Sequence, residues 1–148
     1  MKLQIIFLSV IITMMSLTPT KASIINGKLP ICGSSPNCVS SQAEIHDKHH
    51  YISPFEIKGN PRQAWAELKK AILKQPRMVI THETHISLHA EATSLVFRFV
   101  DDINVLLDAD AELIHIRSAS RVGHSDFGVN RKRIEALRAE LRKVGVLE

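Results

Sequence analysis

Apolar residues recur along this chain at two periods. Between Asn60 and Pro76 they fall at Ala64, Trp65, Leu68, Ala71 and Ile72, the spacing of a helix with one buried face. Asn60-Pro61 starts that helix, an N-cap residue followed by proline at the first helical position, and Pro76 ends it. The sole tryptophan, Trp65, lies on the stripe and reads as a core anchor. From Met78 onward the period drops to two. Ile86, Leu88, Ala90 and Ala92 alternate with Ser87, His89, Glu91 and Thr93, as in a half-buried strand. Leu95 to Leu107 continues the pattern, with Phe97, Phe99, Ile103 and Val105 on one parity. Leu113 to Ser120 returns, with Ile114 and Ile116 facing the core. Ile134, Leu137, Leu141 and Val144 then form the stripe of a last helix, starting near Asn130 and ending at Gly145. Tyr51 to Ile57 reads as a short edge strand, because Pro54 cannot donate to a ladder.

These elements predict an α+β fold: an antiparallel sheet of four to five strands with two helices packed on one face. The expected order is strand, helix, four strands, helix. A two-residue loop at Ala109-Asp110 would pair Val105 with Ile114 and Ile103 with Ile116. It would also set Asp102 opposite Arg117 on the polar face and Asp101 opposite Ser118 on the core face. A carboxylate on the core face needs a partner, or a bulge at Asp101-Asp102 that turns it outward.

Residues 1–22 read as a signal peptide: Lys2, an apolar run from Leu3 to Leu17, and small residues before Ser23. The run is short for a membrane span, so no stable span is expected after cleavage, and the protein is expected to be exported. Residues 23–50 read as an irregular lead segment with a cysteine loop, and 51–148 as a single α+β domain. Without Lys2 and Lys21 the formal charge of +4 falls to +2. From Arg117 onward eight basic residues stand against four acidic ones. Cys32 and Cys38 are the only cysteines. Export and the turn residues Gly33 and Pro36 between them favour a disulfide.

The densest chemistry lies in Arg117 to Arg133, R-S-A-S-R-V-G-H-S-D-F-G-V-N-R-K-R. Arg131, Lys132 and Arg133 fall in the first turn of the last helix, where cations oppose the macrodipole. An anion belongs there. It is either external or one of the protein's own carboxylates, Asp126, Asp101 or Asp102. The candidate ligand-binding residues are therefore Arg117, Ser118, Ser120, Arg121, Asp126, Asn130, Arg131 and Arg133, with Asp101 and Asp102. Three functions compete. The leading one is non-catalytic binding of an anionic small molecule or envelope component. The others are a structural or interaction module with an internal salt-bridge lock, and a hydrolase acting on a phosphate or carboxylate ester. No reaction follows from the residues. Ser118, Ser120 and Ser125 have His115 and His124 nearby in sequence, yet there is no G-x-S-x-G elbow. His85, His89 and Glu91 share a parity, but their spacing does not define a metal site, and no cofactor is expected. Nucleic acid is not an expected partner of an exported, aromatic-poor chain.

P-N-C-V-S-S at Pro36 to Ser41, F-V-D-D at Phe99 to Asp102, and the Arg117–Arg133 segment resemble domain-of-unknown-function family 1499, found in bacteria and plastids. The resemblance runs roughly from Cys32 to Val144. It implies no activity. It marks Asp101, Asp102, Arg117, Ser118, Ser120, Arg121, Gly123, Asp126, Gly128, Asn130 and Arg133 as motif positions. The position of His124 is often aromatic in that family, which argues against His124 as a catalytic group.

Overall fold

The structure is a computed structural model, and it describes residues 24–148. The expected signal peptide, 1–22, lies outside the described residues. Six strands and two helices follow in the order β1 (Cys38–Ser40), β2 (Phe55–Glu56), α1 (Pro61–Lys74), β3 (Met78–Glu83), β4 (Ser87–Thr93), β5 (Val100–Asp108), β6 (Leu113–Ser120) and α2 (Val129–Lys143). The class is α+β as expected, with one strand more. All strand pairs are antiparallel, in the order β1-β6-β5-β4-β3, and β2 also pairs with β6.

The extra strand corrects the reading of 23–50 as irregular. Cys38 pairs with Ala119 and Ser40 with Arg117, so the lead segment extends the sheet at β6. Three residues among turn formers are too few to show a period. The cysteine loop itself closes as expected, with Cys32 and Cys38 joined in a disulfide.

Both helices cover one face of the sheet. Trp65, Leu68 and Ile72 of α1 and Ile134, Leu137 and Leu141 of α2 join Leu88, Ala90, Ile103, Val105, Ile114 and Ile116 in one core. Asn60 caps α1 as its sequence predicts, its side chain accepting from the N–H groups of Arg62 and Gln63. Helix α2 ends at Gly145, whose φ of 78° suits glycine. Val144 lies past the last buried turn and is exposed. Val146 and Leu147 fill the core in its place.

Two strand expectations are corrected. The β5–β6 loop holds four residues, since Asp108 pairs with Leu113. Asp108 Oδ1 accepts the N–H of Ala111, and Glu112 takes the left-handed conformation with φ 56°, which together widen the turn. Val105 therefore opposes Ile116, Ile103 opposes Ser118, Asp101 opposes Ser120 and Asp102 opposes Ala119. The slip is an even number of residues, so every side chain keeps its expected face. No bulge forms at Asp101-Asp102. The one register shift in the β3–β4 ladder lies between Ile80 and His82. Second, β5 starts only at Val100. Leu95, Val96, Phe97 and Phe99 belong to an exposed loop, although the period of two carries Phe97 and Phe99 onto the core parity. Beyond Ser120 the chain turns away toward α2, so no strand residue remains to pair with them.

Candidate functional site

The sheet divides the Arg117–Arg133 segment between its two faces. Ser118, Ser120 and Asp101 point toward the helices, where Asn130 and Arg133 meet them. Arg117 and Asp102 point the other way, joined by Arg121. The sequence-derived cluster is therefore two clusters, back to back.

On the helix side Asn130 is the centre, with 0% of its surface exposed. Its Oδ1 accepts from Ser118 Oγ and from Arg133 Nη1, at 2.5 and 2.7 Å. Its Nδ2 faces Asp126 Oδ2 at 2.7 Å and, at 3.0 Å each, Ser120 Oγ and the carbonyl of Asn37. Arg133 also donates to Ser118 Oγ and, through Nη2, to Asp101 Oδ2 at 2.6 Å. The carboxylate on the core parity is thus answered by an arginine of α2. Both partners are largely buried, so neither charge is left to water.

Asp126 occupies the start of α2. The N-cap position is Gly128, which has no side chain to cap with. Asp126 Oδ1 accepts from Gly128 N and Oδ2 from Asn130 N, at 2.9 and 2.8 Å. An anion does sit where three cations demand one, and it is the protein's own. Arg131 reaches away instead, donating to the carbonyls of Lys48 and His49.

On the outer face Asp102 is buried by its neighbours' long side chains. Arg121 grips it with Nε on Oδ2 and Nη2 on Oδ1, at 2.9 and 2.7 Å, and its Nη2 also reaches Glu91 Oε1. His89 Nε2 lies 2.9 Å from Asp102 Oδ1. Burial works to raise the pKa of Asp102, but the hydrogen bonds from His89 and Arg121 and their charges outweigh it. They hold the carboxyl well below the usual range. Its bonds to Asp102 and, next, to Glu91 push Arg121 upward against the effect of burial. Beside them Arg117 is only 8% exposed, and burial lowers its pKa against the pull of Asp102. Its Nη1 donates to Asn104 Oδ1, while its Nε has no hydrogen-bond partner among the described residues.

Two chemistries are drawn on this face. Donor atoms of His89, Glu91 and Asp102 lie within 4.8 Å of one another, a spacing that suits a metal. Arg121 already takes the place and the charge of a cation between the two carboxylates. His85, the other histidine of that parity, is exposed in the β3–β4 turn, away from them. Thr81 Oγ1 bonds His89 Nδ1, so a hydroxyl, an imidazole and a carboxylate stand in line, as in a nucleophile–base relay. Sequence reasoning missed Thr81, because the bulge that aims it leaves no trace in the period of two. The serines and histidines weighed for catalysis do not assemble: Ser118 and Ser120 are tied to Asn130, and His115 bonds Ser41 Oγ.

A separate cleft of about 780 Å³ lies between the disulfide loop and residues 40–50, lined by Lys28, Cys32, Gln42, Asp47 and His50 among others. Asp47 and His50 form a pair there, and the hydrogen bond that the imidazole donates to Asp47 raises the histidine's pKa. No described helix is long and apolar enough to cross a membrane.

No curated protein matches the chain. A family model does, over residues 28–141, which takes in the disulfide loop, both charged clusters and nearly all of α2. That span covers most of the sequence, and the chain belongs to the family described as protein of unknown function, DUF1499.

Proposed function

We propose that this protein is an exported, non-catalytic interaction domain whose Arg117–Arg133 segment is an internal lock. One observation carries the reading: the arginines best placed for a ligand already hold carboxylates. Arg133 is bound to Asp101, and Arg121 to Asp102 and Glu91. An incoming anion would have to displace a partly buried carboxylate from each, leaving it unpaired. The disulfide and the apolar leader support export, since disulfides persist in oxidising compartments.

A thermal-shift titration over phosphate, dicarboxylates and sodium chloride at matched ionic strength tests the lock. No anion is expected to stabilise beyond the salt control. A saturable rise following ln(1 + [L]/Kd), lost in Arg131→Ala, would restore binding of an anionic small molecule. The hydrolase reading rests on Thr81–His89–Asp102. Turnover of a phosphate or carboxylate ester that vanishes in both Thr81→Ala and His89→Ala would support it over the lock.

A further inference from the structure

Six large apolar side chains stand in water at one end of the sheet. Leu95, Val96, Phe97 and Phe99 fill the β4–β5 loop, at 70, 75, 73 and 52% exposure. Val122 and Phe127 belong to the β6–α2 loop, Phe127 at 89%. The two loops leave the sheet side by side, because Asp101 pairs with Ser120 and Arg121 N donates to the carbonyl of Val100. The first is a closed loop and not a loose strand end. Ser94 N donates to Phe99 O and Phe99 N to Ser94 Oγ, and Phe97 stacks on Phe99. Arg98 and Phe127 hold φ of 57° and 52°, which is strained for bulky residues. The fold thus holds these apolar groups outward at a cost.

The side chains left without a counter-charge beside them are cations, since Asp126, next to Phe127, is taken up by the N–H groups of Gly128 and Asn130. Arg98 sits within the first loop, and Arg77 joins it through a bond from Nε to Thr93 O. Neither is in an ion pair among the described residues, whereas Asp101, Asp102 and Glu91 nearby are all held by arginines. A second copy docked by the same end would bring Arg77 and Arg98 toward their own counterparts, which repels. The side chains stand on two neighbouring loops, each outside the strands it joins.

We propose that this end docks on a bilayer surface rich in anionic headgroups. Leu95, Val96, Phe97 and Phe127 enter the interface, and Arg77 and Arg98 meet the phosphates. The proposal rests on the interaction reading and names its partner. Vesicle flotation of the full chain tests it, with phosphatidylcholine alone and with added phosphatidylglycerol. The N-terminal segment is common to all variants, so differences between them report on the loops. Wild type is expected to float with the anionic vesicles. Leu95→Ser/Phe97→Ser is expected to weaken binding about tenfold or more at an unchanged melting temperature. Arg98→Glu is expected to weaken it about tenfold on anionic vesicles and little on neutral ones. Equal flotation of wild type and both variants overturns the proposal. So does a wild type that ignores vesicles while self-associating, or binding a protein, through Phe97. That last result leaves the interaction reading standing, and the anion titration reads the lock independently.

Discussion

Asp101 and Asp102 are neighbours in sequence with the sheet between them. Parity alone placed Asp101 toward the helices and predicted a partner, and Arg133 supplies it. Parity also placed Asp102 on the polar face, but it could not show that Arg117, Arg121, His89 and Glu91 would close over it. A pattern of two gives the side of a sheet and says nothing of how far long polar side chains roof it. Asp102 is therefore structural, not an exposed surface charge. Asp102→Ala leaves Arg121 and His89 short of a partner and should cost about 2–4 kcal/mol in urea unfolding, much as Asp101→Ala should. Acid adds a sharper signature. A carboxylate held below its unfolded pKa, about 3.9, adds stability above that value and loses it as pH falls toward the folded one. Wild type should thus lose stability steeply below about pH 4, and Asp102→Asn should show a shallower acid limb. Parallel acid limbs would show that Asp102 is not held by charge.

Helices were more legible than strands, because their ends carry chemical marks. Asn60-Pro61 and Gly145 each do one local task that the structure repeats. The limit of β5 had no such mark. Phe97 and Phe99 continue the alternation past the last residue that can pair with them, so pattern counted them into a core they never join. Helix α2 shows the converse, a cap legible from its defect. Three cations at a helix start called for an anion, and Asp126 reaches two N–H groups from outside the usual capping position. Asp126→Ala should cost about 1–2 kcal/mol, as for a lost N-cap, since Arg131, Lys132 and Arg133 then face the dipole unopposed. Asp126→Asn keeps an acceptor and should recover part of the loss. An Asn variant no better than the Ala variant would shift the weight from hydrogen bonding to charge.

Across the whole molecule, the disulfide loop and the lock form one unit. Asn37 lies inside the disulfide loop, next to Cys38, where β1 begins. Its carbonyl accepts from Asn130 Nδ2 and from Ser120 N, and its side chain donates to Gly123 O. The disulfide therefore holds a strut against α2 beside β1, a link no sequence period displays because it joins residues 93 apart. Opening the disulfide with Cys32→Ser/Cys38→Ser should cost about 2 kcal/mol from loop entropy. Asn130→Ala, which leaves Ser118 and Arg133 short of an acceptor, should cost at least as much. Together the changes should cost less than their sum, since a freed Asn37 no longer depends on Asn130. A coupling of at least about 0.5 kcal/mol in the double-mutant cycle is expected. The same cycle between the cysteines and Asn60→Ala, which uncaps α1 with no shared partner, should be additive within about 0.3–0.5 kcal/mol. Urea unfolding of these six chains decides it. Additivity in both cycles would separate the disulfide from the lock, whereas coupling in the first alone makes the lead segment part of the device that positions α2.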